Sequence, residues 1–431
     1  MKRIITFFGV ILAVVFTVVG VVKEQTREAT GEVSDGLLII ANQNDMAKSA
    51  MVGNKIIFSA NDFEKNLNLS EISSITITSL PSISDGCLCL GDVLVNVGQT
   101  ISRENISLLN YRAGSNDIKE GEFRFKANDN EYEMACKLYF LSRENSAPTL
   151  SMEDERTFNV STHQTVTLYG KISGYDSDGD DLKYEIVTYA KNGAINLDNK
   201  TGEYTYTPIG AYFGEDKFEY VAVDKYGNYS NSRTVMLTVE KMKTDIVYSD
   251  MNKNPAHHAA LTMTEKGIMS GNTIGETTYF MPDKSVSRID FLVMLMHAIG
   301  VNNVENVFDT GFDDDDEIPA SMKGYVYKAR NLGIVNGSVD AMGNYYFYPN
   351  KEITRAEAAL IVNNIVNGNA PTIKPTFADK NDIPAWAQDA IYALNDLGIL
   401  VSNNGEYLPS ANITRAQTAQ MLYNLMEYID R

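Results

Sequence analysis

The sequence predicts a multidomain protein in which two antiparallel β-sandwich modules precede an all-α bundle of three repeats. Residues 50–240 contain short runs that alternate polar and apolar side chains, with Asp-Gly, Asn-Gly and similar turn signals between them. Residues 245–431 instead contain amphipathic helical patterns, separated by loops rich in Gly and Asn, and these patterns recur three times. The change of pattern near residue 245 therefore divides the chain into a β half and a helical half.

The composition limits the kinds of molecule that the protein can bind. The 431 residues are 44% hydrophobic, which suits several soluble globular domains, and the formal net charge is −19. A general nucleic-acid binder needs basic surface to neutralise phosphates, so this charge argues against one. An anionic partner would have to be bound by local arginines against the overall field of the protein.

The N-terminus predicts export. Lys2 and Arg3 precede an almost unbroken apolar run over residues 4–22, and a polar segment follows it. The run is long for a signal peptide and nearly long enough to span a bilayer, so a cleaved signal and a retained N-terminal anchor both remain open. A membrane is a partner only in the second case. In either case the rest of the chain lies outside the cytoplasmic membrane.

Cysteine is sparse, with three residues in the chain: Cys87, Cys89 and Cys136. Such a set does not make a disulfide framework. Cys87 and Cys89 alternate in a strand-like run, so their side chains should point to one face. They are either simply buried there, or one of them forms a bridge to Cys136.

The helical half repeats a fixed set of landmarks. An aromatic residue stands two positions before Asp250, Asp314 and Asp379, and a proline follows five positions after each aspartate. A helix then runs to a glycine that should cap it in the left-handed conformation, at Gly267, Gly333 or Gly398. Units of this size imply stacked copies that bury a shared core.

Each repeat ends on a phrase that starts a second helix, and "ITRAEAALIVNNIV" (residues 353–366) is its clearest copy. Thr354 and Glu357 have the spacing of a capping box. Pairs Thr414/Gln417 and Ser287/Asp290 repeat the spacing with weaker partners. The apolar stripe that follows must face a core. This part of the phrase predicts architecture.

The arginine of the phrase is different, because Arg288, Arg355 and Arg415 occupy the first helical position. A positive charge there opposes the helix dipole at a cost of about 0.3–1 kcal/mol. A local rule broken three times in the same place indicates a use. One alternative is structural, with each arginine paired to an aspartate of the Asp250/Asp314/Asp379 set or to the capping acid. The other is functional, with the guanidinium and the free N–H groups of the helix start forming an anion receptor.

Together these landmarks resemble S-layer homology (SLH) domains, present as a triplet over about residues 245–431. The third repeat, "FADKNDIPAWAQDAIYALNDLGIL…ITRAQ", matches best, the second is nearly as good, and the first is degenerate. The resemblance implies a pseudo-trimeric helical bundle that holds the protein non-covalently to the cell wall. The ligand it implies is a pyruvylated secondary cell-wall polysaccharide.

Carried over to this chain, the resemblance places the three motif arginines in grooves between repeats, where they would meet a ketal carboxylate. Trp386 would offer an aromatic face to a sugar ring; the alternative is a core or lid aromatic. The aspartates Asp250, Asp314 and Asp379 complete the candidate binding set. Ser321 and His257 replace the tryptophan in repeats two and one, so we expect one or two competent grooves, with the groove that joins Trp386 to a motif arginine as the best candidate.

The second β module resembles the bacterial cadherin-like, Ig-type sandwiches of surface adhesins, through "YDSDGDDLKYEIV" and "FGEDKFEYVAVDKYGN". The first is a more divergent relative, and its segment 121–129 matches segment 214–224 of the second. Alternating carboxylates around Gly179 suit an oxygen-ligand calcium site; a solvated Asp-Gly turn is the alternative. The candidate ligands are Asp176, Asp178, Asp180 and Asp181, completed by Asp216 or Asp224.

The other acidic and histidine clusters of the sequence do not predict a metal site. The acidic run 313–317 precedes a helix and is best interpreted as a solvated helix approach. The sequence contains four histidines, and His257 and His258 are neighbours that do not share a helix face, so a zinc site is not expected.

These patterns predict a protein without enzymatic activity. Each β module is too small for a typical catalytic domain, and no hydrolase or metallopeptidase motif occurs. We therefore expect a secreted, S-layer-associated spacer or binding protein of the cell wall. The alternatives are a calcium-dependent adhesin and a membrane-tethered envelope linker.

The predicted units are a signal peptide or anchor (1–22), a polar linker (23–49), the first and second β-sandwiches (50–144 and 145–241), and SLH repeats one to three (245–304, 305–370 and 371–431).

Overall fold

The structure, a computed structural model, describes residues 45–128, 130–150, 159–372, 375–400, 402 and 405–430. The predicted export signal and most of the predicted polar linker lie outside these residues, so both stay predictions. Within the described part of the chain, no helix combines the length and the apolar character needed to cross a bilayer.

The first β module contains two sheets. Its core lies between them and includes edge-to-face ring pairs of Phe58 with Phe123 and of Phe63 with Phe125. The sheets have the orders β1-β9-β8-β3-β6 and β2-β7-β4-β5. The strands are β1 (Met46–Met51), β2 (Ile56–Ile57), β3 (Ser74–Ser79), β4 (Gly86–Leu90), β5 (Val93–Leu94), β6 (Thr100–Ser102), β7 (Leu109–Ala113), β8 (Glu120–Ala127) and β9 (Met134–Leu141).

This module differs from the expected all-β sandwich in two ways. Strand β1 starts at Met46, ahead of the predicted boundary at residue 50, and the module contains two helices, α1 (Ala60–Leu67) and α2 (Arg103–Ile106). A capping box starts α1, and its buried residues Phe63 and Leu67 lie one turn apart and face the core. Helix α1 thus closes one side of the sandwich.

The cysteines stay unbridged. Cys87 and Cys89 lie on the same face of β4, as predicted, with 3.6 Å between their sulfur atoms. Cys136 is fully buried on β9, in the opposite sheet, and all three cysteines are free thiols. The bridge from Cys87 or Cys89 to Cys136 is therefore not formed in this structure.

The second β module has a four-stranded sheet (β11-β18-β17-β14) and a three-stranded sheet (β12-β16-β15), with the short pair β10-β13 beside them. Tyr204 and Phe218 pack edge to face in its core. The strands are β10 (Thr149–Leu150), β11 (Asn159–His163), β12 (Leu168–Lys171), β13 (Gly174–Tyr175), β14 (Leu182–Thr188), β15 (Gly193–Leu197), β16 (Glu203–Pro208), β17 (Gly214–Asp224) and β18 (Arg233–Glu240).

Both modules pair an early strand in parallel with their last strand, β1 with β9 and β11 with β18. The two segments that the sequence matched to each other, around β8 and β17, are the next-to-last strands, and each pairs antiparallel with the last one. The weak internal repeat therefore corresponds to equivalent places in two related sandwiches.

The helical half contains two helices per repeat. The glycines that were expected to cap the first helix of each repeat, Gly267, Gly333 and Gly398, all have positive φ. Repeats one and two also contain small hairpins, β19 (Asn272–Ile274) with β20 (Thr277–Tyr279) and β21 (Ser338–Val339) with β22 (Tyr345–Tyr346), so the half is not purely helical. The helices are α3 (His257–Glu265), α4 (Arg288–Ala298), α5 (Lys323–Asn331), α6 (Arg355–Val366), α7 (Ala385–Asp396) and α8 (Arg415–Ile429).

The helices pair between repeats. The second helix of each repeat packs on the first helix of the next: α4 on α5, α6 on α7, and α8 back on α3. The last repeat thus closes onto the first, and a single apolar core runs through all three. This cyclic exchange explains why the units occur as a triplet, because no repeat contains both partners of any helix pair.

A ring of three backbone hydrogen bonds lies at the centre of the bundle. The N–H of Ile353 donates to the carbonyl of Val286 (3.1 Å), that of Val286 to Ile413 (3.2 Å), and that of Ile413 to Ile353 (3.0 Å). All three residues are buried and immediately precede the cap residue of α4, α6 or α8. The ring therefore fixes where each of these helices begins.

The second β module contacts both neighbours. Asn68 of the first module donates to the carbonyl of Val187 in the second (3.2 Å). Gly227 of the second module lies so close to Ala47 of the first that a β carbon on Gly227 would be 2.0 Å from the carbonyl oxygen of Ala47. Towards the helical half, Val166 joins the apolar core of the repeats. The second β module is thus packed against both the first module and the helical half.

A buried histidine pair joins the second module to the bundle. Nδ1 of His163, at the end of β11, lies 2.8 Å from Nδ1 of His258 on α3, and His163 Nε2 lies 3.4 Å from the carboxylate of Glu265. Burial, and then the charge of His163 and of the neighbouring His257, lower the pKa of His258 to about 3. His258 is therefore neutral in the folded protein at neutral pH.

This pair predicts a contact that weakens in acid. Because the pKa of His258 is lower in the folded state than in the unfolded state, its contribution is complete above about pH 6.5 and is lost as pH falls towards 3, by at most about 1.4 kcal/mol per pH unit. Between pH 7 and pH 4, limited proteolysis should cut increasingly between residues 241 and 247, where the second module meets the bundle. His258→Gln should flatten this pH dependence, and an unchanged profile in that variant would contradict the assignment.

Candidate functional site

The repeated aspartates act within their own repeats. Each carboxylate accepts hydrogen bonds from two successive N–H groups in the loop before the second helix: Asp250 from residues 280 and 281, Asp314 from 347 and 348, and Asp379 from 407 and 408, at 2.6–2.9 Å. The second residue of each pair has positive φ although it is not glycine. The two bonds hold this unfavourable backbone in place.

This role differs from the predicted one, in which the aspartates belonged to the ligand-binding set. At Asp379, burial raises the pKa of the carboxyl group, but the N–H groups of Tyr407 and Leu408 and the charge of Arg355 lower it more, so the pKa lies below its usual value. The Asp379 carboxylate is thus ionised, and all three carboxylates are committed to the backbone. A second negative charge would be repelled from them, so they do not suit an anionic ligand.

The acidic run 313–317 is built in the same way. Asp313 accepts from the N–H of Tyr345 (2.6 Å), Asp314 is the aspartate described above, and Asp315 accepts from the N–H of Thr310 (2.8 Å) and pairs with Lys323. Three of its five residues therefore fold the loop. The expectation of a solvated approach fits Asp316 and Glu317, which are exposed, whereas Asp313 is exposed but bonded to the loop.

The helix starts follow the predicted chemistry. Thr354 with Glu357 and Thr414 with Gln417 form complete capping boxes. In the first repeat, Ser287 accepts the N–H of Asp290. The capping assignment made from the phrase is confirmed.

The motif arginines cross from one repeat to the next. The guanidinium of Arg355 lies 4.7 Å from the ring centroid of Tyr407, and that of Arg415 lies 4.7 Å from the ring of Phe280 in repeat one. Arg288 lies 5.4 Å from the ring of Phe347. Each arginine therefore contacts the aromatic residue next to the left-handed position of the following repeat.

Backbone carbonyls complete these contacts. Nε of Arg355 donates to the carbonyl of Tyr407 (2.6 Å), and Arg415 donates to the carbonyls of Phe280 (2.8 Å) and Ser270 (2.6 Å). The structural alternative is therefore favoured, with partners that the sequence did not predict. The repeated aromatic at positions 280, 347 and 407, always just before the Met/Tyr/Leu-Pro step, was the available signal.

The arginines differ in exposure. Arg355 is 4% exposed, whereas Arg288 and Arg415 are partly exposed. Burial lowers the pKa of all three guanidinium groups, and nearby carboxylates oppose that shift. Arg355 is closed to a ligand in this conformation, which leaves the other two as candidates.

Arg415 lines an open groove of about 320 Å³ between repeats three, one and two. Its polar lining also includes Lys284, Asp290 and Ser270, and the remaining walls are apolar, with Met322 at the start of repeat two. Two cations face one carboxylate, so the groove has a local excess of one positive charge on a strongly acidic protein. Such a groove suits a ligand with an isolated carboxylate and apolar ring faces.

Lys284 is a candidate ligand-binding residue that was not predicted from the sequence. It is exposed, and it stands four residues before the motif arginine. Lys351 occupies the same place in repeat two, where it pairs with Glu357 (2.9 Å), and Ala411 occupies it in repeat three. The recurring lysine in "MPDK" and "YPNK" was the signal.

Trp386 lies near the start of α7 and is 55% exposed, so it is not a core aromatic. Its counterpart in repeat two, Ser321, directly precedes Met322, which lines the Arg415 groove. The same relation between repeats predicts that Trp386 lies beside Arg288 and Lys351. The predicted combination of tryptophan and motif arginine stays a prediction, and the repeat relation selects Arg288 as the arginine.

Three of the six predicted calcium ligands come together in the second β module. Carboxylate oxygens of Asp176, Asp180 and Asp224 lie within 4.8 Å of one another, and Asp176 and Asp224 are buried. One oxygen each of Asp176 and Asp180 is buried without a hydrogen-bond partner among the described residues. Lys225 pairs with the other oxygen of Asp180 at 2.8 Å. The cluster has the donor set and the unsatisfied oxygens that a hard cation requires.

The other three predicted ligands lie elsewhere. Asp178 accepts the N–H of Ser146 (2.7 Å) in the segment between the modules, and Asp181 is exposed. Asp216 is buried and accepts from the N–H of Asn192 (2.7 Å) and the hydroxyl of Tyr206 (3.0 Å). It fixes a turn at a different place in the module.

Comparison with known proteins identifies the two domain families that the sequence resembles. A family model described as a bacterial cadherin-like domain matches residues 145–241. A model described as an S-layer homology domain matches residues 311–359 and 376–419, in repeats two and three. The first repeat lies outside the matched segments, although its aspartate, capping and arginine contacts are those of the other two.

Curated relatives include the Surface-layer 125 kDa protein of Lysinibacillus sphaericus, which is 26% identical over 42% of this chain and 15% of its own length. S-layer protein EA1 of Bacillus anthracis is 28% identical over 37% of this chain and 18% of its own length. An amylopullulanase of Thermoanaerobacterium thermosulfurigenes is 26% identical over 56% of this chain and 13% of its own length. The chain thus spans less than a fifth of the length of these relatives, and the matches support a surface protein associated with the cell wall.

The aspartate contacts predict a stability effect. Asp314→Ala would leave the N–H groups of Phe347 and Tyr348 unpaired and release the left-handed backbone of Tyr348, so the free energy of unfolding should fall by about 2–4 kcal/mol. Urea denaturation measures this change. The matched control is Asp316→Ala, in the same acidic run but exposed, which should change stability by less than about 0.5 kcal/mol. Equal effects in the two variants would contradict the role of Asp314.

Proposed function

Because the chain carries S-layer homology repeats behind a bacterial cadherin-like domain, we propose that it is an exported protein that anchors non-covalently to the cell wall. The ligand is an anionic secondary wall polysaccharide that carries pyruvate-type ketal carboxylates. The β modules stand between the wall and the surroundings as spacer or adhesive units. This role requires no catalytic step, and the absence of enzymatic activity stays a prediction.

The observation that carries the proposal is the groove of Arg415 and Lys284. Arg415 is held rigidly by the carbonyls of Phe280 and Ser270 and by the ring of Phe280, so its charge is fixed at the groove wall. Lys284 is exposed at the same groove and supplies a mobile ammonium group. A ketal carboxylate between the two would make charge-assisted hydrogen bonds, while the methionine and valine walls contact the sugar ring.

The groove that the repeat relation assigns to Trp386, with Arg288 and Lys351, is the second candidate. It offers a stacking surface, but Lys351 there is already paired with Glu357 at 2.9 Å. Binding a carboxylate would require that pair to separate. We therefore rank the Arg415 groove first for charge recognition and the Trp386 groove second.

Reversal of the lysine charge tests the proposal. Lys284→Glu should weaken sedimentation of the mature chain with purified wall sacculi at least about tenfold, because one carboxylate then faces another. Lys328→Glu makes the same charge change on an exposed helical site and should bind as the wild type does. Equal sedimentation of the two variants, or full retention on sacculi stripped of their polysaccharide, would overturn the anchoring mechanism.

The aspartate cluster of the second module supports a further role, calcium binding. The linker between the modules is tied to this cluster, since Asn145 donates to Asp224 (2.6 Å) and Ser146 donates to the neighbouring Asp178 (2.7 Å). A calcium ion held by Asp176, Asp180 and Asp224 would therefore stiffen the junction between the two modules. Lys225 would have to release Asp180.

Thermal unfolding measures this binding. At a calcium concentration about a hundredfold above the dissociation constant, the ion should stabilise the second module by about 2.7 kcal/mol, and a chelator should remove the effect. Asp176→Ala should abolish the calcium response, whereas the exposed Asp181→Ala should keep it. A wild-type transition that does not respond to calcium would exclude the site.

A further inference from the structure

A cleft of about 360 Å³ lies between the second β module and the helical bundle. One wall is formed by residues 167–171 of the β module and by Tyr204, and the other by the face of α8 that carries Gln420, Tyr423, Asn424 and Tyr428. Pro255, His258 and Gly398 also line it. Neither domain alone encloses this space.

The chemistry of the lining is that of a saccharide site. Four tyrosines, Tyr169, Tyr204, Tyr423 and Tyr428, supply aromatic surface for the C–H faces of sugar rings. Gln420 donates to Asn424 (2.9 Å) and Asn424 donates to the carbonyl of Ile399 (3.2 Å), and each amide has a further N–H group that can donate to a sugar hydroxyl. The charged lining residues are one lysine, Lys171, and one glutamate, Glu427, so the cleft carries no net charge at neutral pH, where His258 is neutral.

A buried group in the wall lacks a partner. His258 is 7% exposed, and its Nδ1 faces His163 at 2.8 Å. The Nε2 on the opposite side of the ring is buried without a hydrogen-bond partner among the described residues. The burial of this atom is therefore uncompensated, in a residue that lines the cleft.

Two residues of the cleft stand at the same repeat positions as two residues of the Arg415 groove. His258 and Gln420 occupy the places that Met322 and Val293 hold in the Arg415 groove. The arginine that corresponds to Arg415 here is Arg355, which is 4% exposed and bound to Tyr407. The cation of this third groove is therefore not accessible, and the aromatic lining of the cleft comes from Tyr169 and Tyr204 of the β module and from Tyr423 and Tyr428 of α8.

We propose that this cleft binds an uncharged stretch of the wall polysaccharide, so that the cadherin-like module takes part in anchoring. The proposal rests on the proposed function for the identity of the polymer. The charged groove of Arg415 holds a carboxylate-bearing sugar, and the cleft holds unsubstituted sugars through ring stacking and hydroxyl contacts.

The test is calorimetric titration of the full mature chain with wall polysaccharide released from purified sacculi, used in its native form and after amidation of its carboxylates. Tyr169→Ala should weaken binding of both forms by about five- to tenfold, since a stacking surface is lost. Lys171→Ala changes an exposed side chain, so it should fold normally, and it should weaken both by about two- to threefold. Tyr175→Ala, on the same module but outside the cleft, is the matched control.

The outcomes separate this proposal from the proposed function. Lys284→Glu should weaken binding of the native polymer only. If Tyr169→Ala and Lys171→Ala bind both polymers as Tyr175→Ala does, the cleft is not a saccharide site, although loss of native-polymer binding in Lys284→Glu would still support the anchor. If the wild type binds neither polymer, both proposals fail.

Discussion

The bundle depends on the ring of three backbone hydrogen bonds among Val286, Ile353 and Ile413. Each bond joins two different repeats, and the bond between residues 286 and 413 closes the ring across nearly the whole helical half. In the sequence, each ring residue is followed directly by the cap residue of a helix and then by the motif arginine. The ring therefore positions the helix starts, the arginine contacts and the grooves. Any change in the ring would therefore move the three grooves together, which makes the triplet one cooperative unit and not three independent binding modules.

The arginines show how one residue serves both architecture and recognition. At the first helical position the charge is locally unfavourable, and the ring face and carbonyl of the next repeat compensate for it. The same contacts hold the guanidinium rigid, so where the groove stays open, at Arg415, binding has to order Lys284 but not the arginine. At Arg355, where the guanidinium is buried, the arginine keeps only its structural contacts with Tyr407.

Local features of this fold were predictable from the sequence, and contacts between repeats were not. Thr354 with Glu357 and the three capping glycines have signals within a few residues, so the helix ends could be assigned. The partners of Arg355 and Arg415 lie 52 and 135 residues away, and spacing alone does not encode such contacts. The same limit applies to the calcium cluster, where Asp224 was one of two options, and to His258, whose partner His163 belongs to another module.

The parallel pairing of β1 with β9 and of β11 with β18 determines how the modules respond to tension. In each pair the chain enters beside one end of the last strand and leaves from the other end, so a pulling force acts along the strands. The register of six residue pairs in the first module and five in the second must then slip as a whole, because its hydrogen bonds are loaded together and cannot open one after another. A chain held at the wall by its helical repeats and pulled from its other end would resist unfolding mechanically, through the geometry of two strand pairs.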